Sequence, residues 1–138
     1  MGLRRLSREY ALQVLYAIDV CKLEAGEVQK SFWENHKSGK KVLEFATTLV
    51  EGTLKNLPQI DSLIAKYARN WDIHRMASID RNILRQATFE ILYLLNIPIN
   101  VIINEAVELA KKYSTEESGK FVNGILDKVK EMRSAKSF

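Results

Sequence analysis

Apolar residues recur at spacings of three and four along almost the whole chain, a period that predicts helices and leaves no convincing strand. The first helix is predicted over residues 7–21, opened by Ser7 as N-cap, with Ala11, Val14, Leu15 and Ile18 on its buried stripe. A short second helix, 27–35, buries Val28 and Phe32. The third, 41–57, buries Val42, Phe45, Ala46, Leu49, Thr53 and Leu57. Pro58 then suits the first turn of a fourth, 58–69, where its missing N–H costs nothing, and Ile60, Leu63, Ile64 and Tyr67 form the stripe.

From Asn70 to Ser78 the period loosens around Trp71, Ile73 and Met76, which marks a joint between two sub-bundles, about 1–70 and about 71–138. Trp71 and Trp33 read as core or rim packing at helix ends. The fifth helix, 78–95, carries Ile83, Leu84, Ala87, Ile91 and Leu94 and stops before Ile97-Pro98, because the residue before a proline disfavours helical geometry. A sixth follows Pro98 and Asn100 and ends near Tyr113. Ser114 and Glu117 have the spacing of a capping box for the last helix, which buries Val122, Ile125, Leu126 and Val129 and frays from Ser134 to Lys136. Gly52 and Gly124 interrupt sound helical patterns, which predicts close approach of a neighbouring helix at each. The reading is an all-α single domain, 1–138, of about seven helices.

With 138 residues, 46% of them apolar, the chain can bury one real core. The net charge of +4 favours polyanionic partners. One cysteine, Cys21, forms no internal disulfide, and two histidines without spaced cysteines make no recognisable zinc site, which fits a reducing cytosol. No apolar run approaches the ~18 residues of a membrane span, so no membrane association is expected. No phosphate-cradling glycine loop or nucleophile elbow is present either, and neither cofactor nor catalysis is expected. Glu105 and Glu108, three apart, have the spacing of an acid/base pair but read more simply as surface charges, Glu108 pairing with Lys112.

Binding residues are better represented. Arg4, Arg5 and Arg8 precede any acidic residue, and arginine grips phosphates with a planar fork of donors. Tyr16 lies roughly 130° from the centre of its helix's apolar stripe and within about 20° of Arg5. Phe121 lies about 80° off its own stripe, next to Lys120 and near a dipole-positive helix end. Rings in line with cations are what single-stranded RNA sites use, though each ring reads equally as core packed on a neighbouring helix. Asp80 favours the dipole of its helix, and Arg81 and Arg85 behind it repel mildly unless an anion such as Glu105 lies nearby. A partly buried Arg85–Glu105 network is structural; a partner-facing Asp80 is functional.

The stretch INEAVELAKKYSTEESGKFVNGILDKV, residues 103–129, together with Asp80-Arg81-Asn82-Ile83-Leu84-Arg85 and Arg4-Arg5-Leu6-Ser7-Arg8-Glu9, resembles the NusB family of bacterial transcription factors. The resemblance covers nearly the whole chain and implies a NusB-like fold of two packed three-helix sub-bundles. It implies a partner, the small-subunit ribosomal protein NusE, and binding of the pair to single-stranded boxA-type RNA of nascent ribosomal RNA transcripts. It further implies an antitermination complex with RNA polymerase, and a homodimer as an alternative state of the free protein. By matching positions, Arg4, Arg5 and Arg8 look like the family's arginine-rich motif, and Tyr16, Lys120 and Phe121 look like base- and backbone-contacting residues. Asp80 and Glu117 look like positions at the edge of RNA and partner. Leu6 interrupts the arginine run, and residues 21–41 do not follow the family. Two other readings stay open: the NusB-like accessory domain of RNA cytosine methyltransferases, and a purely protein-interacting helical bundle.

Overall fold

The computed structural model describes the backbone of residues 2–69 and 71–136, and side chains as far as Arg133. Its described residues form eight helices: α1 (Gly2–Cys21), α2 (Ala25–Asn35), α3 (Lys40–Lys55), α4 (Leu57–Tyr67), α5 (Ser78–Tyr93), α6 (Ile99–Tyr113), α7 (Glu116–Val129) and α8 (Glu131–Lys136). The all-helical reading holds, and no described residue is in a strand.

The organising element is α5. Every residue from Asp80 to Leu92 is buried, because α1, α3, α4, α6, α7 and α8 all pack around it. A helix enclosed on all sides would ordinarily be apolar throughout. Here several of its polar residues are instead answered by neighbours, while Asp80 Oδ1, Gln86 Oε1 and Thr88 Oγ1 stay buried without a hydrogen-bond partner. Arg81 donates to Asp19 of α1 at 2.9 and 2.7 Å, Arg85 to Asp61 of α4 at 2.8 Å twice, and Gln86 to the Arg8 carbonyl at 3.1 Å. A buried donor or acceptor left alone costs about 1–3 kcal/mol, so these bonds fix how the outer helices sit on α5. Around them a continuous apolar core runs from Leu12 and Leu15 through Leu49, Ile60, Ile64, Leu84 and Ile91 to Ile102, Val122 and Leu126.

Several local expectations are revised. The first helix begins at Gly2, so Ser7 is not a cap. It lies inside α1, and its Oγ donates to the carbonyls of Leu3 and Val42. Thr115, not Ser114, caps α7, accepting from the Ser118 N–H at 3.0 Å, because the Ser114 N–H is still closing α6 on the Ala110 carbonyl. Gly52 is where a helix approaches closely: a Cβ there would lie 2.0 Å from the Phe89 ring. Gly124 has open space on that side, and its predicted packing role is absent. Arg85 pairs with Asp61 rather than Glu105, and Glu108 pairs with Lys111 at 3.8 Å rather than with Lys112. The tail that was expected to fray continues as α8. Arg133 docks there, donating to the carbonyls of Ile91, Ile97, Glu90 and Leu94 that end α5 and begin the next loop.

Candidate nucleic-acid interface

Because α1 is wound from Gly2, its three arginines step around the helix at about 100° per residue and point to three different places. Arg4 is exposed, with its guanidinium 4.2 Å over the Phe45 ring of α3. Arg5 reaches across to α6, its Nε and Nη2 donating to Glu105 at 3.0 and 2.6 Å. Arg8 falls on the buried stripe with Ala11, Leu12 and Leu15 and is only 3% exposed. Its Nη2 donates to Glu90 of α5 at 2.7 Å. Arg8 therefore departs from its expected role as an RNA contact: helical phase directs its side chain inward, where it neutralises a buried carboxylate.

The stripe that begins at Arg5 continues along the outer face of α1 through Glu9 to Tyr16, since seven residues return to within about 20° of the same direction. Beside it lies the C-terminal half of α6. Glu9 accepts from Lys112 Nζ at 2.8 Å and from the Tyr113 hydroxyl at 3.1 Å. Burial, reinforced by Glu9, pushes the Tyr113 phenol up from its ordinary value. Tyr16, about 10 Å further along the axis than Glu9, is half-buried. Lys112 and Tyr113 were not foreseen in this setting, because their partner is over a hundred residues away in sequence.

Next in the chain α7 begins, and its first turns close a slot with the loop before α5. Phe121, half-buried, meets the Trp71 ring edge-on at a centroid distance of 5.6 Å, while Trp71 itself is 55% exposed. Of the two expected places, core or rim, Trp71 takes the rim, where it forms a wall of the slot. With Met76, Ala77, Asp80, Ser118 and Lys120 these rings line a surface depression of about 520 Å³. Asp80 forms its floor. One carboxylate oxygen accepts from Ser118 Oγ at 3.2 Å; the other is buried without a hydrogen-bond partner. Burial pushes the Asp80 carboxyl above the usual range, and the Ser118 bond only partly opposes this. Glu117 and Lys120 stand fully out at the rim, 3.6 Å apart, a pairing worth little at such exposure.

The sequence-predicted residues are thus brought together only in part. Lys120, Phe121, Glu117 and Asp80 converge on one slot, Arg5 and Tyr16 share a stripe on α1, Arg4 faces α3, and Arg8 is interior. The missed wall, Trp71, had one signal: a large ring in the stretch where the helical period lapses. Among the described residues no cluster of His, Cys, Asp and Glu is arranged to hold a metal ion, and no helix is long and apolar enough to cross a membrane.

Residues 5–131 match the NusB family. Transcription antitermination protein NusB of Pelotomaculum thermopropionicum is 49% identical over 128 residues, spanning 93% of this chain and 89% of that protein. The protein of the same name from Syntrophus aciditrophicus is 46% identical over 127 residues, 92% of this chain and 79% of its own length. A crystal structure of antitermination factors NusB and NusE in complex with double-stranded RNA superposes with a TM-score of 0.87 at 32% identity, covering 96% of this chain and 98% of the matched one.

Proposed function

The chain belongs to the NusB family, and on that premise we propose that it is a transcription antitermination factor that binds RNA together with a NusE-type partner. The observation that carries the reading is the slot of Trp71 and Phe121 beside Lys120. Half-exposed rings offer stacking surface to unpaired bases, and each stacked base contributes about 1–3 kcal/mol without regard to sequence. The RNA favoured is a single-stranded boxA-type segment of a nascent ribosomal transcript, held by Tyr16 and Phe121, with Arg4, Arg5 and Lys120 toward its phosphates. Asp80 and Glu117 lie at the edge of this surface, where RNA and partner meet. The protein acts by binding rather than by catalysis, and in the cytoplasm, where nascent transcripts are made.

Modest RNA affinity of the protein alone is part of this proposal. Arg5 and Lys112 each stand against a largely enclosed carboxylate, Glu105 and Glu9 respectively, which engages part of the positive charge on this face. Stacking and a partner protein then supply what Coulomb attraction does not.

The test is fluorescence anisotropy with a boxA-type single strand, its duplex form and a scrambled strand, with and without a NusE-type partner. Y16A and F121A are each expected to weaken single-strand binding at least fivefold while leaving the partner complex intact. Unchanged affinity in both variants overturns the assigned surface. Preference for the duplex overturns the stacking mode. A stable partner complex with no RNA retained points to the pure interaction bundle instead.

A further inference from the structure

Arg5 does not meet solvent as a free cation. Its two donors reach the two oxygens of Glu105 at 3.0 and 2.6 Å, the same fork-to-fork geometry a phosphate would use. Glu105 is the more enclosed member, its side chain 18% exposed against 45% for Arg5, so the pair sits against the α1–α6 seam rather than waving in water. Glu9 and Glu108 add negative potential around the same guanidinium. An incoming phosphate gains Arg5 only by displacing a carboxylate that already satisfies the N–H groups it needs.

Building on the RNA-binding reading above, we infer that Glu105 is an intramolecular competitor for RNA: it occupies the phosphate-binding fork of Arg5 in the free protein and thereby lowers RNA affinity. The contact opens when stacked bases hold a phosphate close enough to Arg5 to outcompete Glu105. Arg5 alone then contributes little to affinity in the wild-type chain, because what it gains from phosphate it loses from Glu105.

The experiment is a two-by-two set, wild type, R5A, E105Q and R5A/E105Q, titrated with a boxA-type single-stranded RNA in the presence of a NusE-type partner. Glutamine keeps the size of Glu105 and removes the charge. E105Q is expected to bind about fivefold tighter, the scale of a part-exposed ion pair that no longer has to be broken. R5A is expected to fall within threefold of wild type, and R5A/E105Q to lose the gain. An E105Q affinity at or below wild type overturns the inference, and so does a gain that survives the loss of Arg5, which would be a general charge effect. Should E105Q fail to fold, as judged by its melting curve, carboxyl carbon-13 NMR of the wild type decides. Arg5 holds the Glu105 carboxyl below the usual range, and saturation with RNA is expected to return its titration to ordinary glutamate behaviour; an unmoved titration overturns the inference. RNA binding by wild type with no difference in E105Q sinks this inference alone, whereas absence of RNA binding in both sinks the functional reading with it.

Discussion

Arg8 of α1 donates from Nε and Nη2 to both carboxylate oxygens of Glu90 in α5, and the two side chains are 4% and 2% exposed. Burial pushes the Glu90 carboxyl up, and the Arg8 hydrogen bonds and charge oppose it. Removing one member leaves the other charge desolvated, so R8A is expected to lose about 3–5 kcal/mol. The loss should be larger at high pH, because an unpaired Glu90 folds more readily as the neutral acid. Urea unfolding at pH 5 and pH 8 checks both statements. Replacing the pair together, R8M/E90L, should recover most of the loss, since an apolar pair of similar volume carries no desolvation cost.

Two glycines give a second, opposite pair of outcomes. A methyl at Gly52 would meet Phe89 Cζ at 2.0 Å, so G52A is expected to destabilise by about 1–3 kcal/mol through overpacking. Gly124 has nothing within 4 Å of the position a Cβ would take and lies within α7. G124A should therefore stabilise by about 0.5–1 kcal/mol, the helix-propensity difference alone. Denaturant midpoints of the two variants, moving in opposite directions, verify the contrast.

Asp80 sets one pH dependence. Its folded pKa is raised by burial, so its contribution to stability is fully present below the ordinary carboxylate range and is lost as pH rises through the folded value. D80N, which can still accept from Ser118, removes that loss. It is expected to melt above the wild type at pH 7, with the gap closing as pH falls toward 4. Equal melting temperatures at pH 7 would show that Asp80 is not penalised where it sits.

Asp19 and Glu105 act in the other sense. For Asp19, burial alone would push the carboxyl up, but hydrogen bonds from Arg81 and Asn82 outweigh it and the pKa is lowered. Glu105 is lowered chiefly by the Arg5 hydrogen bond. Both contributions are present above the unfolded carboxylate values and are lost as pH falls through the folded ones. Wild-type melting temperature should drop on acidification below about pH 4, and less so in a D19N variant whose starting stability is already reduced.

Trp71 is exposed, and among the described contacts its ring meets Phe121 edge-on. W71A is expected to weaken binding of the boxA-type single strand by about 1–3 kcal/mol, as for loss of a stacked base, while moving the melting temperature little. Anisotropy titration beside a thermal melt separates the two. A variant that melts early and binds normally would make Trp71 a structural residue after all.

Helical period alone placed α3, α4, α5, α6 and α7 to within a few residues and identified stripes such as Val42, Ala46, Leu49 and Ile60, Ile64 that are now core. That information is local: which side of a helix is apolar is written in spacings of three and four. The start of α1 was misjudged because Arg4 and Arg5 look like a polar terminus until Arg5 is seen answering Glu105, 100 residues on. Likewise nothing in the sequence near Asp80 or Arg85 says which anion or hydroxyl will face it. The sequence by itself therefore determined an all-helical chain, its apolar stripes and, through matching positions, its family. The tertiary structure decided which charges meet. It sent Arg8 inward, gave Arg5 to Glu105, and brought Trp71 of a loop onto Phe121 of α7. The reason is range: apolar spacing acts within one helix, whereas an ion pair or a ring contact exists only once two distant helices have packed.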